Sequence, residues 1–359
     1  MAALSAKGLA RDLLAWYDAN RREMPWRGHP DPYAVWVSEI MLQQTQVKTV
    51  LGYFDRFLAA FPTVAALAAE PQQQVLKLWE GLGYYTRARN LQKAAQAVVA
   101  HGGALPRDLA GWSALPGVGA YTAAAIVSIC HGVAAPVVDG NVIRVFARYL
   151  GWGDDFRKPQ SRVRLAAWLQ PHIEASGRPG DFNQAMMELG ATLCTPRAPG
   201  CGGCPLRRGC VAMRDERQGE FPARPAKKAM PVRLAVAVLI RDDAGRVLVA
   251  QRPAEGLLGG LWELPNREVE RVPAAADVRT LFAQTGLAVV RLKPRGAYTH
   301  VFSHFKLVWH VYEARLRTES QPGPSVRFPP LRFAAPGELP LATQTRRVIE
   351  ETGVGVAQI

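Results

Sequence analysis

The 359-residue chain has no long apolar run and few cysteines. No uninterrupted apolar segment approaches the roughly 20 residues that a transmembrane helix needs, so we expect no membrane span. Residues 1–10 contain Lys7 and lack the apolar stretch of a secretory leader. With five cysteines and a reducing compartment, a disulfide framework is disfavoured. These absences predict a cytoplasmic protein.

Acidic residues are also scarce. The chain has 30 Asp and Glu against 44 Lys and Arg, a formal net charge of +14. A surface with this excess attracts polyanions, of which nucleic acid is the commonest. A basic surface kept only for solubility is the alternative, and charge alone does not separate the two. The length suggests two or three domains, and 48% hydrophobic residues suffice for folded cores.

Four of the five cysteines lie close together in the sequence. They are Cys194, Cys201, Cys204 and Cys210, separated by six, two and five residues. Thiolates at this density usually converge on one metal centre. The spacing alone leaves two candidates, a structural zinc ion and an iron–sulfur cluster.

The pattern of apolar residues changes near the middle of the chain. Residues 1–220 show helical spacing, and Ala120–Cys130 is apolar almost all round, which predicts a buried helix. Residues 221–231 combine three prolines with basic residues and no acidic residue, which predicts an extended connector. Beyond residue 232 the pattern predicts strands. Leu234–Ile240 is the first, and a turn then leads to Val247–Ala250 as its partner.

One turn between two predicted helices has the composition of a phosphate-binding loop. In the segment Leu115–Gly119, Gly117 and Gly119 permit a tight turn whose backbone amides point one way. The helix that follows adds the positive partial charge of its N-terminus. The loop is therefore suited to binding a phosphate, and a simple helix–helix corner is the alternative.

This combination of loop, flanking helices and cysteine quartet resembles the helix–hairpin–helix superfamily of DNA glycosylases. Four segments resemble its MutY-type adenine DNA glycosylase branch: 38–46, 81–91, 138–142 and 182–190. In that family the Cys-x6-Cys-x2-Cys-x5-Cys quartet ligates a [4Fe–4S] cluster, so the resemblance favours the cluster over zinc. The resemblance implies a multidomain protein. An all-α helix–hairpin–helix glycosylase domain (1–220, cluster loop 194–210) would precede an α+β Nudix-like domain (232–359).

Two carboxylates suit the chemistry of glycosidic bond cleavage, which needs an acid for the leaving base and an anion near the sugar. Glu39 lies in the apolar stretch Val35–Leu42, where burial would raise its pKa and make it an acid. The resemblance implies that its proton goes to N7 of adenine. Asp139 precedes Gly140 at a predicted helix start, where backbone amides would keep it ionised. It would stabilise the oxocarbenium-like sugar, whereas a solvated Glu39 and an Asp139 that only caps a helix are the structural alternatives.

Tyr121 occupies a position that separates two types of enzyme. The related endonuclease III-like lyases carry there a lysine that forms a Schiff base with the sugar. A phenol cannot form an imine, so the sequence predicts a monofunctional glycosylase, in which Tyr121 and Asn141 hold the sugar and Asp139 by hydrogen bonds. The alternatives are a bifunctional lyase and a DNA-binding iron–sulfur protein that does not cut DNA.

An adenine inside a duplex must be flipped out before a buried acid can reach it. The resemblance implies that Gln44 and Tyr84 act as wedge and intercalator, since an aromatic face can stack on a base. It also places Arg27 against the flipped base or its phosphate. Leu115, Gly117 and Gly119 of the hairpin would contact the DNA backbone.

The C-terminal part resembles the Nudix-like domain of MutY proteins. Gly259–Pro265 is similar to the opening of a Nudix signature, but residues 279–286 lack the glutamates that hold magnesium in Nudix hydrolases. We therefore expect binding rather than nucleotide pyrophosphohydrolase activity. Phe302, Ser303 and His304 match the loop that recognises 8-oxoguanine in the family. A metal site at His300 and His304 is disfavoured, because the flanking alternation predicts a strand and a loop.

Together these resemblances imply a base excision repair enzyme. We expect a monomer that acts on double-stranded DNA, removes adenine opposite 8-oxoguanine or guanine, and associates with the nucleoid in the cytoplasm.

Overall fold

The computed structural model describes residues 5–223, 229–317 and 330–353. The chain divides into two units, one formed by Met1–Ala68 and Lys93–Ala226 and the other by Ala69–Gln92 and Lys227–Ile359. The sequence places residues 69–92 in the helical domain, whereas the structure groups them with the C-terminal half, because their side chains bond to that half. Part of the predicted connector 221–231 lies outside the described residues.

Helices make up the first unit. In chain order the helices before the first strand are α1 Ala6–Asn20, α2 Pro32–Leu42, α3 Val47–Ala60, α4 Val64–Ala69, α5 Gln72–Leu78, α6 Thr86–Ala100, α7 Leu109–Ser113, α8 Ala120–His131, α9 Gly140–Leu150, α10 Pro159–Ser176, α11 Pro179–Thr192 and α12 Val211–Arg214. Helix α5 and the start of α6 belong to the second unit. Short 3-10 helices at Cys201–Gly203 and Arg207–Gly209 shape the cysteine loop.

Local sequence fixes where the helices that carry candidate residues begin. Helix α2 starts after Asp31, whose side chain accepts a hydrogen bond from the Tyr33 amide, and Pro32 occupies its first turn. Helix α9 starts after Asp139, which accepts from the Val142 amide at 2.7 Å. Asp139 is therefore an N-cap as well as a candidate catalytic group.

The core of the first unit lies among α1, α9, α10 and α11. Leu9, Phe146, Leu169 and Phe182 are fully buried in it, and three cluster-loop cysteines lie against it. Burial of each such side chain contributes about 1.5–3 kcal/mol. Helix α8 is buried at seven successive residues, Thr122–Ser128, as its apolar sequence predicts. In the described ranges, no helix combines the length and apolarity needed to cross a bilayer.

The second unit contains two β-sheets. The remaining elements are β1 Val232–Ile240, β2 Val247–Gln251, β3 Trp262–Glu263, β4 Asn266–Val269, α13 Ala275–Ala283, β5 Val289–Val301, β6 Lys306–Leu316, β7 Leu331–Ala334 and α14 Thr343–Glu351. Four strands are ordered β4-β1-β6-β5 and three are ordered β3-β2-β7. The β1–β6 pair is parallel and the other pairs are antiparallel.

The predicted pairing of the first two strands is wrong. The turn forms, with the Asp242 amide bonded to the Arg246 carbonyl at 3.0 Å, but a single bridge joins Arg241 to Val247. Strand β1 instead pairs with β4 and β6. Its residues 235–240 are all buried because alternate side chains enter two separate cores. A strand covered on both faces takes its partners from long-range burial, which the local turn does not encode.

A pair of helical glycines tests the close approach of α11 to α9. A Cβ on Gly190 would lie 2.6 Å from Cβ of Asn141, whereas a Cβ on Gly52 in α3 meets nothing within 4 Å. We expect Gly190→Ala to lower the free energy of unfolding by about 1–3 kcal/mol through overpacking. Gly52→Ala should raise it by roughly 0.5–1 kcal/mol. Urea denaturation checks both, and equal stabilisation by the two variants would contradict the close contact.

Candidate active site

A cavity of about 510 Å³ in the first unit collects the predicted catalytic residues. Its volume lies in the range of small-molecule sites. The predicted residues that line it are Glu39, Tyr121, Asp139, Asn141 and Arg27. Residues brought together from α2, α8, α9 and the loop before α2 therefore share one chamber.

Glu39 is nearly completely buried, with 5% of its surface exposed. The Tyr121 hydroxyl donates a hydrogen bond to its carboxylate at 3.0 Å. Burial raises the pKa of Glu39 to about 7, the Tyr121 hydrogen bond opposes the rise, and the negative charge of Asp139 adds to it. Between about pH 4.5 and pH 7, where an ordinary glutamate is ionised, Glu39 therefore keeps its proton.

Asp139 has more hydrogen-bond donors around it than Glu39. One carboxylate oxygen accepts from the Val142 amide at 2.7 Å, and the other accepts from the Asn141 side-chain amide at 3.0 Å. Burial raises the pKa of Asp139, whereas these hydrogen bonds and the charge of Arg144 lower it. Desolvation is the largest of these effects, so the pKa of Asp139 is raised overall. That Asp139 is ionised stays a prediction. The donors still favour the carboxylate form.

Asn141 belongs to a hydrogen-bonded chain that reaches the cysteine loop. The Arg144 guanidinium donates to the Asn141 side-chain oxygen at 2.8 Å. It also donates to the Gly190 carbonyl at 2.7 Å and to the Cys194 carbonyl at 2.8 Å. Asn141 is therefore held in the orientation in which its amide donates to Asp139. Position 194 sits at the other end of the same network.

One wall of the cavity is polar, and the sequence prediction missed most of it. Glu188 is buried and accepts hydrogen bonds from Arg22 at 2.6 Å and from Arg27 at 3.1 Å. Arg27 also donates to the side chain of Gln184 at 3.1 Å. Burial alone would raise the pKa of Glu188, but these two arginines lower it below its ordinary value. The signal in the sequence is an acidic residue between the apolar Met187 and Leu189 of a helix.

The hairpin loop lies between α7 and α8, as predicted. Gly117 has a φ of +76° and Gly119 caps α8 without a side chain. Both glycines are exposed and Leu115 is half-buried. A Cβ at Gly119 would meet nothing within 4 Å. The loop therefore presents uncovered backbone at a helix N-terminus, where a phosphate can approach.

The two residues predicted as wedge and intercalator share a strained backbone. Gln44, between α2 and α3, has a φ of +57°, and Tyr84, before α6, has a φ of +47°. Both are exposed, Tyr84 by 47%. Residues other than glycine rarely adopt a positive φ, and those that do so cluster at functional sites. The preceding residue, Gln43, is held in place because its side-chain amide donates a hydrogen bond to the Thr122 hydroxyl at 3.0 Å.

The four clustered cysteines line one small cavity between α11 and α12, together with Arg148 and Gln218. The buried Arg148 guanidinium donates to the Cys194 sulfur at 3.4 Å, and the Gln218 amide donates to the Cys201 sulfur at 3.8 Å. N–H donors of this kind stabilise thiolates. Within the described residues, no three metal-ligand side chains converge closely enough for a single ion. The four thiols form a sulfur donor set of the kind that binds a metal centre.

The loop between β5 and β6 carries Phe302, Ser303 and His304 in the second unit. Phe302 stacks on Phe305 with ring centroids 4.8 Å apart, while Ser303 and His304 are exposed. The Ser303 hydroxyl lies 3.2 Å from the Tyr84 hydroxyl, within hydrogen-bonding distance. The structure thus joins two residues that the sequence predicted separately.

Helix α13 overlaps residues 279–286, the stretch in which the sequence lacks the glutamates that would hold magnesium. Its nine residues contain no glutamate, and Asp277, its one acidic residue, accepts a hydrogen bond from the Ala274 amide at 3.2 Å. Glu263 of the Nudix-like segment is paired with Arg252 at 2.8 Å. A cluster of carboxylates for magnesium is absent from this helix.

Residues 37–171 match the HhH-GPD superfamily of base excision DNA repair proteins, and residues 235–351 match the NUDIX domain. Adenine DNA glycosylase from Rattus norvegicus is 37% identical in an alignment 382 residues long, which covers 90% of this chain and 73% of that protein. The Homo sapiens enzyme is 37% identical, with 89% and 68% covered. The Schizosaccharomyces pombe enzyme is 33% identical, with 87% and 82% covered.

Two solved structures share the fold of the helical part. A thermostable thymine-DNA glycosylase aligns with a TM-score of 0.53 and 28% identity, over 58% of this chain and 97% of that one. An endonuclease III–DNA complex aligns with a TM-score of 0.51 and 24% identity, over 59% and 98%. The multidomain fold, the helix–hairpin–helix domain and the Nudix-like domain are therefore confirmed. By its sequence relatives, its fold and the geometry of its cavity, the chain belongs to the adenine DNA glycosylase family of base excision repair enzymes.

Proposed function

We propose that the protein is a monofunctional glycosylase that excises adenine paired with 8-oxoguanine or guanine in double-stranded DNA. The observation that carries this proposal is the pair of carboxylates in one cavity, with the pKa of Glu39 raised to about 7. Glycoside hydrolysis uses two carboxyl groups in different surroundings, one that keeps its proton and acts as the acid and one that stays ionised near the sugar. We keep the expectation of a monomer that acts on chromosomal DNA at the nucleoid.

The chemical step assigns one task to each carboxyl group. Protonated Glu39 donates its proton to N7 of the flipped adenine, and the bond between C1′ and N9 breaks with its electron pair going to the base. The sugar is left with positive charge, which the carboxylate of Asp139 stabilises. Water then adds to C1′ and returns a proton to Glu39, leaving an abasic site and free adenine. Tyr121, hydrogen-bonded to Glu39 at 3.0 Å, orients the acid.

The polar wall suits the edge of adenine. The N6 amine of adenine is a donor, and the Glu188 carboxylate, whose pKa is lowered, is a charged acceptor that lines the cavity. Arg27 and Gln184 supply donors in the same wall. Guanine carries an acceptor, O6, where adenine carries the amine, so an acidic group there disfavours it.

Recognition of the opposite base would fall to the second unit. Exposed Ser303 and His304 offer hydrogen-bonding groups beside Phe302, and Tyr84 offers an aromatic face for stacking. Gln44 would fill the space that the flipped adenine leaves. The exposed amides of the hairpin at Gly117 and Gly119 would bind the DNA backbone near the extruded nucleotide.

The cysteine quartet would hold a [4Fe–4S] cluster. Four thiols line one cavity, and two of them receive N–H donors from Arg148 and Gln218. When bound, such a cluster ties the loop 194–210 to the end of α11 through iron–sulfur bonds. The loop would then stay ordered against the core, with Arg148 bonded to the carbonyls of Thr195 and Pro196.

The test of the function is base release from duplexes with one adenine opposite 8-oxoguanine or guanine. We expect wild-type protein to release adenine and the strand to break only after alkali. Glu39→Gln should lower the single-turnover rate by at least about 10²-fold, since it removes a general acid, and leave DNA binding within about twofold. Strand cleavage in equal yield without alkali would contradict the monofunctional assignment, and full activity of Glu39→Gln would contradict the assigned acid.

The free energy of unfolding of Glu39→Gln provides a control for misfolding. The pKa of Glu39 is raised on folding, so the wild type loses stability as pH rises from about 4.5 to about 7. Glu39→Gln does not titrate, so it should be more stable than the wild type at pH 8, by at most about 3 kcal/mol. The difference should vanish only at about pH 3.5, below the pKa of an ordinary glutamate. A variant that is less stable at both pH values would show that its inactivity reflects misfolding.

The pH profile of excision tests the role of Tyr121. The rate should fall as pH rises through about 7, because Glu39 loses its proton there. The Tyr121 hydrogen bond lowers the pKa of Glu39, so Tyr121→Phe should move this limb to higher pH by about one unit. Single-turnover rates between pH 5.5 and 9 measure the shift. A limb that stays in place or moves to lower pH would contradict the assignment.

Metal content tests the cofactor. Protein purified without oxygen should contain about four iron and four sulfide per chain and absorb broadly in the visible range. Cys204→Ala should lose the iron, whereas Cys130→Ala, outside the quartet, should keep it. Stoichiometric zinc without sulfide would contradict the cluster and leave the proposed chemistry in place.

A further inference from the structure

The segment that carries Tyr84 is anchored within the second unit on both sides of the loop. Before the loop, Gln73 donates to the Gly260 carbonyl at 3.0 Å and accepts from the Trp262 indole at 2.9 Å. After it, Arg89 donates to the Gly259 carbonyl at 2.7 Å and is nearly buried. The two anchors fix the ends of the segment against one stretch of the Nudix-like domain.

Glu80 is the charged centre of this anchoring. Its side chain is 5% exposed and accepts a hydrogen bond from the Leu341 amide at 3.0 Å. The Glu80 carboxylate also accepts a hydrogen bond from Nε of Arg346 in α14 at 3.2 Å. Its other oxygen lies 2.9 Å from Nζ of Lys77. Lys77 in turn donates to the Leu339 carbonyl at 3.0 Å. A buried carboxylate with this many donors holds its backbone in one place.

The loop directly after Glu80 needs such support. Gly81, Gly83 and Tyr84 all have positive φ, at +99°, +73° and +47°. The tyrosine conformation costs free energy and persists only where the surroundings impose it. The Tyr85 hydroxyl accepts from the Gly81 amide at 3.1 Å, so the first residue of the loop is tied as well.

Arg87 holds the loop together through hydrogen bonds and ring contacts. Its guanidinium donates to the carbonyls of Leu82 and Gly83, both at 3.1 Å. It also lies between two aromatic rings, 5.4 Å from the centroid of Trp79 and 5.5 Å from that of Tyr84. Arg87 therefore links residues from Trp79 to Tyr84 by direct contacts, and Glu80 lies at the start of this loop.

We propose that Glu80 is a positioning residue for recognition of the base opposite adenine. It fixes the Tyr84 loop so that the Tyr84 hydroxyl meets Ser303 and the two residues face the opposite base together. This inference rests on the proposed function, because it concerns how that function selects 8-oxoguanine over guanine. Glu80 lies outside the cavity of Glu39 and Asp139 and has no part in the chemical step.

The physical basis is preorganisation. A small difference between two purines is read only if the reading groups are held at fixed positions before binding. Without Glu80 the loop gains freedom, and the Tyr84 and Ser303 contacts with 8-oxoguanine then carry an ordering cost that a guanine duplex, which does not use those contacts, does not pay. The contact that favours 8-oxoguanine is weakened, whereas the backbone contacts common to both duplexes remain.

The test compares four variants with the wild type. Glu80→Ala removes every contact of the carboxylate, while Glu80→Gln keeps an acceptor for the Leu341 amide. Arg346→Gln removes the partner on α14, whose side chain is 44% exposed. Glu351→Gln is the matched control. Glu351 forms an ion pair with Arg347, one helical turn earlier on α14. The side chains of Glu351 and Arg347 are 48% and 56% exposed.

Two quantities are measured for each protein, with its melting temperature. The first is the ratio of dissociation constants for duplexes with non-cleavable 2′-fluoro-2′-deoxyadenosine opposite guanine or 8-oxoguanine. The second is the saturating single-turnover rate on the adenine·guanine duplex. We expect Glu80→Ala to lower the ratio about tenfold, Glu80→Gln and Arg346→Gln to lower it less, and Glu351→Gln to match the wild type. The saturating rate should stay within about twofold in all.

Two outcomes would overturn the inference. In one, Glu80→Ala and Arg346→Gln keep the wild-type ratio. In the other, both duplexes weaken equally while the melting temperature falls, which would leave Glu80 a purely structural role. A wild-type protein that releases no adenine, or that shows no preference between the two duplexes, would instead count against the proposed function. The wild-type measurement therefore separates the two failures.

Discussion

The burial of Glu39 is the constraint on which the rest of the site depends. A carboxyl group removed from water holds its proton, and the nearby charge of Asp139 strengthens that tendency. Asp139 lies at a helix start with two hydrogen-bond donors, so the same cavity favours a protonated acid on one side and a carboxylate on the other. Neither condition requires a metal ligand or a charged partner for Glu39. The hydrogen bond from Tyr121 moderates the effect and fixes the direction of the acid.

The elements around the cavity each serve a structural and a chemical purpose. Asp139 caps α9 and lines the cavity, and Arg144 orients Asn141 while it binds the Cys194 carbonyl. The order of the cysteine loop and the orientation of a pocket residue are therefore linked through one guanidinium. The close contact of Gly190 with Asn141 belongs to the same arrangement, because a larger residue there would displace α9.

The sequence predicted which residues share the cavity better than it predicted the strand topology. Glu39 and Asp139 could be found from their apolar neighbours and Tyr121 and Asn141 from the family resemblance, and the structure brings all four to one cavity. The partner of β1 could not, since pairing depends on residues 266–269 and 306–314, far along the chain. Glu188 was missed because its function depends on Arg22, which approaches from another part of the chain. The grouping of residues 69–92 with the C-terminal half likewise arises from long-range polar contacts such as Glu80 with Leu341. Local pattern encodes a helix and its buried face, whereas partners of this kind are set by the tertiary structure.

The most direct measurement of the central claim is an infrared titration of the carboxyl group of Glu39. The difference between wild type and Glu39→Gln isolates its protonated-carboxyl band, which can be followed from pH 4 to pH 9. We expect the band to persist at pH 6 and to disappear with a midpoint near 7. A midpoint near 4.5, the value of an ordinary glutamate, would contradict it, because the cavity would then hold two carboxylates and no acid at neutral pH.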